Sequence, residues 1–208
     1  MSIRRNLKIA IQKSGRLNKP SRKFLAALGL RFGKIGRNLA LKCENQPIDL
    51  LNVRDDDIPK YVSESIVDFG IVGIDVLKES GKKAQIIKKL GFCQCKLVIA
   101  SPKNSSIRTV RDLNNKKIAT SYPRILSNYL TTQNIKARVV VVQGSVELTP
   151  YLQAADAVCD ITETGRTLRE FNLVPIKAIL NSQAVLISPV KQSGKQAKFI
   201  NQLLTKNI

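Results

Sequence analysis

Short apolar runs alternate with amphipathic stretches along the chain. Pro20–Leu28 places Phe24, Leu25 and Leu28 at helical spacing before Gly29, which predicts a helix that ends there. The apolar runs on either side have the length of strands. In the first half of the chain they are Leu7–Ile11, Ile48–Val53, Val67–Val72 and Cys95–Ala100. This alternation predicts an α/β protein with mostly parallel sheets.

The pattern restarts after Pro102. Further strands are predicted at Lys117–Thr120, Arg138–Val142, Ala157–Ile161, Leu173–Leu180 and Ala184–Ile187. Helices are predicted at Ile125–Gln133, Val146–Leu152, Thr164–Phe171 and Gly194–Leu204. We therefore expect two lobes, residues 1–99 with 181–208 and residues 100–180, with a ligand cleft between them.

The composition narrows the possible chemistry. The 208 residues include no histidine, which excludes a histidine base, a Ser-His or Cys-His pair and a histidine-ligated metal. The four cysteines lack the spacing of a zinc site, and we expect them to be reduced packing residues. Arginine, lysine, carboxylates, hydroxyls and backbone amides remain, a set of groups that suits phosphorylated substrates.

The formal net charge of +20 allows two interpretations, a nucleic-acid-binding protein or a basic protein with a small anionic substrate. Scattered lysines and only 5% aromatic residues favour the second, because they provide no stacking platform. No apolar run approaches the ~18 residues of a membrane span, and the basic N-terminus precedes too short an apolar run for a signal peptide. We expect a cytoplasmic protein with no membrane partner.

The most informative segment runs from Asp156 to Leu168. An apolar strand ends at a carboxylate, and a Thr-Gly-Arg-Thr turn leads directly into a helix. Gly165 permits close approach of backbone amides to an anion, and a helix N-terminus favours negative charge. The turn is therefore either a phosphate cradle or a helix capped by Thr164.

Two polar segments follow strands in the first half of the chain. Lys13 and Arg16 flank Gly15 directly after the first strand and could clamp a phosphate or pyrophosphate. Arg54 follows another strand and is a candidate ligand contact. The acid run Asp55–Asp57 either holds magnesium or compensates the dipole at a helix start, and the pattern favours the second.

Two further segments are candidates. Asp68–Gly73 combines a strand with a glycine at its end, which suits either close approach of a nucleotide or a buried strand with a tight turn. Gly144–Glu147 is another strand-to-helix turn, in which Ser145 is a candidate cap or phosphate ligand.

Taken together and in order, these motifs resemble the catalytic portion of the ATP phosphoribosyltransferase family, whose members catalyse the first step of histidine biosynthesis. The matching segments are 12–17, 54–59, 68–73, 119–123, 144–147 and 156–168, which span nearly the whole chain. The family usually has glycine where Gln153 stands. The family's longer form carries a C-terminal regulatory domain that is not expected in this chain.

The resemblance implies a two-lobed fold like that of type II periplasmic binding proteins. It also implies that ATP and phosphoribosyl pyrophosphate form N1-(5-phosphoribosyl)-ATP and pyrophosphate. Arg16 and Arg37 would be catalytic, at the pyrophosphate leaving group, and Lys13, Arg54, Asp68 and Gly73 would bind substrate. In the second half, the implied substrate-binding residues are Ser145, Glu147, Asp156, Asp160, Thr162, Glu163, Thr164, Gly165, Arg166 and Thr167.

The resemblance also implies partners. Mg²⁺ would bind mainly through the pyrophosphate oxygens, with no metal held by the protein alone. A homodimer or larger assembly and a regulatory subunit related to histidyl-tRNA synthetase are further expectations. The alternatives are another phosphoribosyltransferase, of the purine-salvage kind, or a non-catalytic two-lobed protein that binds an anion or nucleotide.

Overall fold

The computed structural model describes residues 5–33 and 38–205. The chain divides into unit 1, Met1–Cys93 with Gln183–Ile208, and unit 2, Gln94–Ser182. The strands are β1 (Leu7–Gln12), β2 (Ala40–Lys42), β3 (Ile48–Val53), β4 (Phe69–Gly73), β5 (Gln85–Lys89), β6 (Cys95–Pro102), β7 (Lys117–Thr120), β8 (Arg138–Val141), β9 (Ala157–Thr162), β10 (Leu173–Ser182) and β11 (Ala184–Ser188). The α-helices are α1 (Asn18–Ala27), α2 (Ile58–Ser63), α3 (Ile74–Ser80), α4 (Pro123–Thr132), α5 (Arg166–Glu170) and α6 (Gly194–Thr205).

Unit 1 is built on a sheet with the strand order β2-β3-β1-β4-β11-β5. Strand β1 lies between β3 and β4 and is parallel to both, so the carboxyl ends of these three strands share one edge. Side chains alternate across the sheet. Ile9 packs in the cluster that includes Phe199 of α6, whereas the neighbouring Ala10 packs with Ile58 and Val62 of α2 on the opposite face.

Unit 2 has a second sheet with the strand order β10-β6-β9-β7-β8. Strand β7 is parallel to both β8 and β9, so these three strands also end at a common edge. Helix α4 follows β7 and buries Leu126 and Leu130 in the core together with Ile118.

The sheets are mixed, which corrects the expectation that they would be mostly parallel. Strands β2, β5 and β11 pair antiparallel in unit 1, and β6 pairs antiparallel with β9 and β10 in unit 2. The pair β2–β3 shows the reason: a short turn at residues 43–47 joins the two strands, and a short turn permits only antiparallel neighbours.

The division of the chain also differs in detail from the expected boundaries at 99/100 and 180/181. All of β6 lies in unit 2, although most of this apolar run was expected to end the first lobe. Its hydrogen-bonded neighbours are the unit 2 strands β9 and β10, and this pairing sets its place.

Candidate active site

Three loops of unit 2 follow the parallel strands β7, β8 and β9 and therefore lie at one edge of the sheet. The first two loops are joined by Ser121, whose Oγ donates a hydrogen bond to the Val142 carbonyl at 2.7 Å and accepts one from Gly144 N at 3.5 Å. Ser145 is exposed with a φ of 45°, and Glu147 follows it in a 3₁₀ turn. This edge brings together three of the sequence motifs.

The loop after β9 is a tight turn that leaves two hydroxyl groups exposed. The Thr162 hydroxyl accepts a hydrogen bond from Gly165 N at 2.9 Å, and Gly165 has the left-handed φ of 72° that favours glycine. Arg169 Nη1 closes the turn by donating to the Thr164 carbonyl at 3.2 Å. Within residues 5–33 and 38–205, the structure gives no hydrogen-bond partner to the hydroxyls of Thr164 and Thr167.

Helix α5 begins at Arg166, two residues later than expected. The left-handed Gly165 is its N-cap, and Thr164 makes no capping hydrogen bond, which argues against the simple cap interpretation of this turn. Arg166 Nε pairs with Glu170 at 2.8 Å along the exposed face of the helix. Its guanidinium is exposed and paired along the helix, and the residue itself is the first of α5 after the turn.

The two aspartates of the β9 segment have different positions. Asp160 lies half-buried near the carboxyl end of β9, where its Oδ1 accepts a hydrogen bond from Ile161 N at 2.8 Å. Asp156 precedes β9 at the opposite edge, ~20 Å from Thr162 along the strand. Its Oδ2 accepts a hydrogen bond from Lys117 N at 2.7 Å. The structure therefore corrects the expected substrate contact of Asp156, which instead fixes the start of β9 against β7.

In unit 1, the basic turn after β1 is held by the side chain of Gln12. Its Oε1 accepts a hydrogen bond from Leu17 N at 3.0 Å, and a Cβ on Gly15 would lie 2.9 Å from the same amide group. Gly15 has a φ of 113°, so the turn wraps tightly over this amide. Lys13 and Arg16 are exposed at its surface.

The acid run after β3 lies beside this turn. Gln12 Nε2 donates to Asp55 Oδ2 at 2.8 Å, and Lys13 N donates to the Val53 carbonyl at 2.7 Å. Arg54 lies between β3 and the acid run in the sequence. It is exposed and its backbone is extended. Among the described residues, no group of three metal-ligating side chains could hold a metal ion. Through its hydrogen bond with Gln12, Asp55 joins the loop after β3 to the turn after β1.

Electrostatic repulsion is concentrated at the middle of the acid run. Partial burial and the neighbouring charges of Asp55 and Asp57 raise the pKa of Asp56 above its ordinary value, and Arg54 acts in the opposite direction. Arg54 is therefore the cation that offsets a locally unfavourable cluster of carboxylates.

Gly73 ends β4 at the same edge as Lys13 and Arg54. A Cβ at this position would lie 2.2 Å from Asp75 Oδ1, because the buried Asp75 carboxylate packs directly against the glycine. A larger residue at position 73 would require the buried Asp75 side chain to move.

Asp68 directly precedes β4, at the end of the strand opposite to Gly73. Its position corrects a second expected substrate contact. Its carboxylate accepts hydrogen bonds from Lys8 N at 2.8 Å and from Gln196 Nε2 at 3.0 Å, and it pairs with Arg5 at 3.3 Å. It is buried and ~17 Å along the strand from Gly73. Asp68 therefore joins β1, β4 and α6, away from the edge that carries the basic turn.

Comparison with known proteins places these motifs in one family. The family model for ATP phosphoribosyltransferase matches residues 54–207. The chain belongs to the ATP phosphoribosyltransferase family. The Cytophaga hutchinsonii ATP phosphoribosyltransferase is 40% identical over 198 residues, covering 95% of this chain and 69% of that protein. The chain spans about two thirds of the length of the curated relatives that it matches, 66–71%.

Solved structures of similar fold support the same family assignment. A structure described as the ATP phosphoribosyl transferase (HisG:HisZ) complex from Thermotoga maritima matches with a TM-score of 0.81 and 30% identity, covering 96% of this chain and 97% of that one. A mutant of ArgBP from T. maritima matches with a TM-score of 0.61 at 17% identity, covering 98% and 89%. That more distant likeness concerns the fold alone and confirms the type II binding-protein class.

The family assignment confirms the expected enzyme class, a pentosyltransferase, and its place in histidine biosynthesis at the level of the family. Gln153, which stands where a glycine was expected from the resemblance, adopts a left-handed φ of 56° that favours glycine. Within the described ranges, no helix is long and apolar enough to cross a membrane.

Several residues of the site were not singled out in the sequence. Gln12, Asn18, Ser121 and Arg169 all hold loops in place; Asn18 Nδ2, for example, donates to the Gln12 carbonyl at 2.6 Å. Their position beside a turn was visible, but their partners were not. Arg37, expected at the leaving group, lies outside the described residues.

Proposed function

We propose that this chain transfers the 5-phosphoribosyl group from phosphoribosyl pyrophosphate to N1 of ATP and releases pyrophosphate. The observation that carries the proposal is the loop after β9. Its exposed Thr164 and Thr167 hydroxyls and its left-handed Gly165 lie at the edge where β7, β8 and β9 end. Membership of the ATP phosphoribosyltransferase family supports phosphoribosyl pyrophosphate as the ligand of this loop.

Unit 2 would bind the 5′-phosphate and the ribose. The hydroxyls of Thr164 and Thr167 and the backbone of Thr162–Thr167 surround the phosphate, with Arg166 adding positive charge. Asp160 and Glu163 are acceptors for the ribose hydroxyls. Ser145 and Glu147, on the neighbouring loop, complete the substrate contacts of this edge. Asp156 is left out because it lies at the opposite edge of the sheet.

Unit 1 would bind the pyrophosphate and the nucleotide. Lys13 and Arg16 are exposed cations on a tight turn, where they can stabilise negative charge on the departing pyrophosphate. Arg37 is proposed for the same role from the family resemblance. Arg54 and Gly73 lie at the same edge of the sheet and would contact ATP, whereas Asp68 is left out because of its structural hydrogen bonds.

The chemistry is compatible with a chain that has no histidine. A bond forms between N1 of adenine and C1 of ribose while the bond from C1 to the pyrophosphate oxygen breaks. Alignment of the two substrates and neutralisation of the leaving group supply most of the catalysis in such a reaction. Mg²⁺ would add charge neutralisation while bound to the pyrophosphate oxygens, and the described residues offer no cluster that would hold it alone.

Three further expectations concern a regulatory partner, the assembly of the chain and its location. The matching T. maritima structure is a complex, which supports a regulatory partner for this chain as well. A homodimer or larger assembly and a cytoplasmic location stay predictions.

Incubation of the purified chain with ATP, phosphoribosyl pyrophosphate and Mg²⁺, followed by mass spectrometry, tests the proposal. The expected products are N1-(5-phosphoribosyl)-ATP and pyrophosphate in equal amounts. Absence of the adduct, with intact protein and with the regulatory partner supplied, would contradict it.

A further inference from the structure

A cavity of about 860 Å³ lies in unit 1, at the edge of the sheet where β1 and β3 begin. Leu28, Leu30 and Phe199 are buried apolar side chains in its lining, and Arg5, Lys195 and Lys198 are exposed cations around them. Its volume lies in the range of pockets that bind small organic molecules. The cavity thus has an apolar floor and a basic rim.

This cavity is separate from the proposed substrate contacts of unit 1. Lys13 and Arg54 follow the carboxyl ends of β1 and β3, whereas Leu7 and Ile48, which line the cavity, are the first residues of those strands. Six residues of strand put the two edges ~20 Å apart. A ligand of the reaction bound at one edge of unit 1 would not reach the other.

The charges around the cavity are unbalanced. Asp68, the acid that lines an adjoining cavity of about 310 Å³, is already engaged by Lys8 N, Gln196 and Arg5. Lys195 Nζ donates to the main-chain carbonyl of Arg5 at 3.1 Å, which holds the ammonium group at the rim of the cavity. Among the described residues that line the two cavities, Asp68 is the only acid and it is paired with Arg5, so Lys195 and Lys198 leave an excess of positive charge at the rim.

We propose that this cavity binds a small organic anion with an apolar ring, so that the ring covers Leu28, Leu30 and Phe199 and the anionic group meets Lys195 and Lys198. Burial of apolar surface and a charge-assisted contact then act on the same molecule. A ligand with charge alone would gain nothing from the apolar side chains of the floor, and a neutral one would not neutralise Lys195 and Lys198.

A fluorescence titration of the purified full chain with 8-anilinonaphthalene-1-sulfonate, an anion with an apolar ring system, tests this inference. We expect saturable binding at one site. The double variant Lys195→Glu/Lys198→Glu should weaken it about tenfold or more, because two attractive contacts become repulsive. Lys136→Glu/Lys177→Glu changes the net charge equally on exposed residues of unit 2 and should leave binding unchanged.

Further measurements distinguish binding at this cavity from unfolding of the variants and from binding elsewhere on the protein. Circular dichroism and the melting temperature of each variant must match the wild type; where the double variant is unstable, Lys198→Gln alone should weaken binding in the same direction. N-phenyl-1-naphthylamine, which lacks the sulfonate, should bind more weakly and be unaffected by the lysine changes. Phosphoribosyl pyrophosphate, which has no apolar ring, should not displace the sulfonate probe.

Equal binding by the two double variants, displacement by phosphoribosyl pyrophosphate or the absence of saturable binding would each overturn the inference. None of these readouts depends on catalysis, so a failure here is distinct from a failure of the proposed transferase activity.

Discussion

The side-chain amide of Gln12 donates a hydrogen bond to Asp55 Oδ2 at 2.8 Å and so joins the turn after β1 to the loop after β3. The same side chain accepts from Leu17 N, which closes the basic turn that carries Arg16. One residue therefore fixes both the shape of the turn and its position beside Arg54.

Loss of this link should reduce activity through positioning. Gln12→Ala is expected to lower kcat/KM about tenfold, because a displaced basic turn misaligns the leaving group. In a double-mutant cycle with Asp55→Ala, the coupling free energy of unfolding should be about 0.5–1.5 kcal/mol. Additive effects on the free energy of unfolding would show that the hydrogen bond does not stabilise the fold, and an unchanged kcat/KM for Gln12→Ala would show that it does not position the turn.

Arg16 should act on the chemical step. If it stabilises the departing pyrophosphate, Arg16→Ala removes about 2–4 kcal/mol of transition-state stabilisation, or about 30- to 1000-fold in kcat, with a smaller effect on the Kd for ATP. Steady-state kinetics and calorimetry measure the two quantities. Lys23→Ala, an exposed cation on α1, is the matched control and should behave as wild type. A wild-type kcat for Arg16→Ala would make the turn purely structural.

Gly165 should be essential to the phosphate loop. A valine at φ 72° strains the backbone by about 1–2 kcal/mol and places a side chain at the proposed phosphate contact. Gly165→Val should abolish calorimetric binding of phosphoribosyl pyrophosphate. Gly91→Val is the control, since Gly91 has a similar φ of 76° and open space around it in unit 1. Unchanged affinity in a folded Gly165→Val protein would argue against the cradle.

Asp68 should matter for stability and not for substrate binding. Asp68→Ala leaves Lys8 N and the Gln196 amide without their buried acceptor, which should lower the free energy of unfolding by about 1–3 kcal/mol. Urea denaturation measures this, and Asp49→Ala, which removes a half-buried carboxylate on β3, should cost less. A raised KM for ATP with unchanged stability would restore the role expected from the sequence.

Much of the fold could be predicted because its signals are local. The apolar run Leu7–Ile11 and the helical spacing of Phe24, Leu25 and Leu28 correspond to β1 and α1. Strand β5 was missed because it is an edge strand with no fully buried residue, so its pattern of exposure carries little alternation. Most of the antiparallel pairing, such as β10 with β6 and β11 with β4, was missed because these partners are distant in the sequence.

The same distinction holds for the candidate site. Glycines that follow a strand, such as Gly165, predicted a turn of the observed kind, because the residue type itself reports the backbone conformation. Aspartates did not reveal their partners: Asp156 and Asp160 lie four positions apart, yet the first fixes the start of β9 through Lys117 N and the second lies near the carboxyl end of the strand. The predicted strand separates their positions, but the hydrogen bond of Asp156 to β7 depends on the register of β9 against β7, which the sequence does not show.

The most direct test of the account is the initial rate of pyrophosphate release from phosphoribosyl pyrophosphate with different acceptors, at fixed Mg²⁺ and with any regulatory partner present. ATP should support release coupled one-to-one to an N1-linked adduct, whereas adenine, guanine and hypoxanthine should give only the background rate. Release with a free purine base and none with ATP would contradict the account and indicate a phosphoribosyltransferase of the purine-salvage kind.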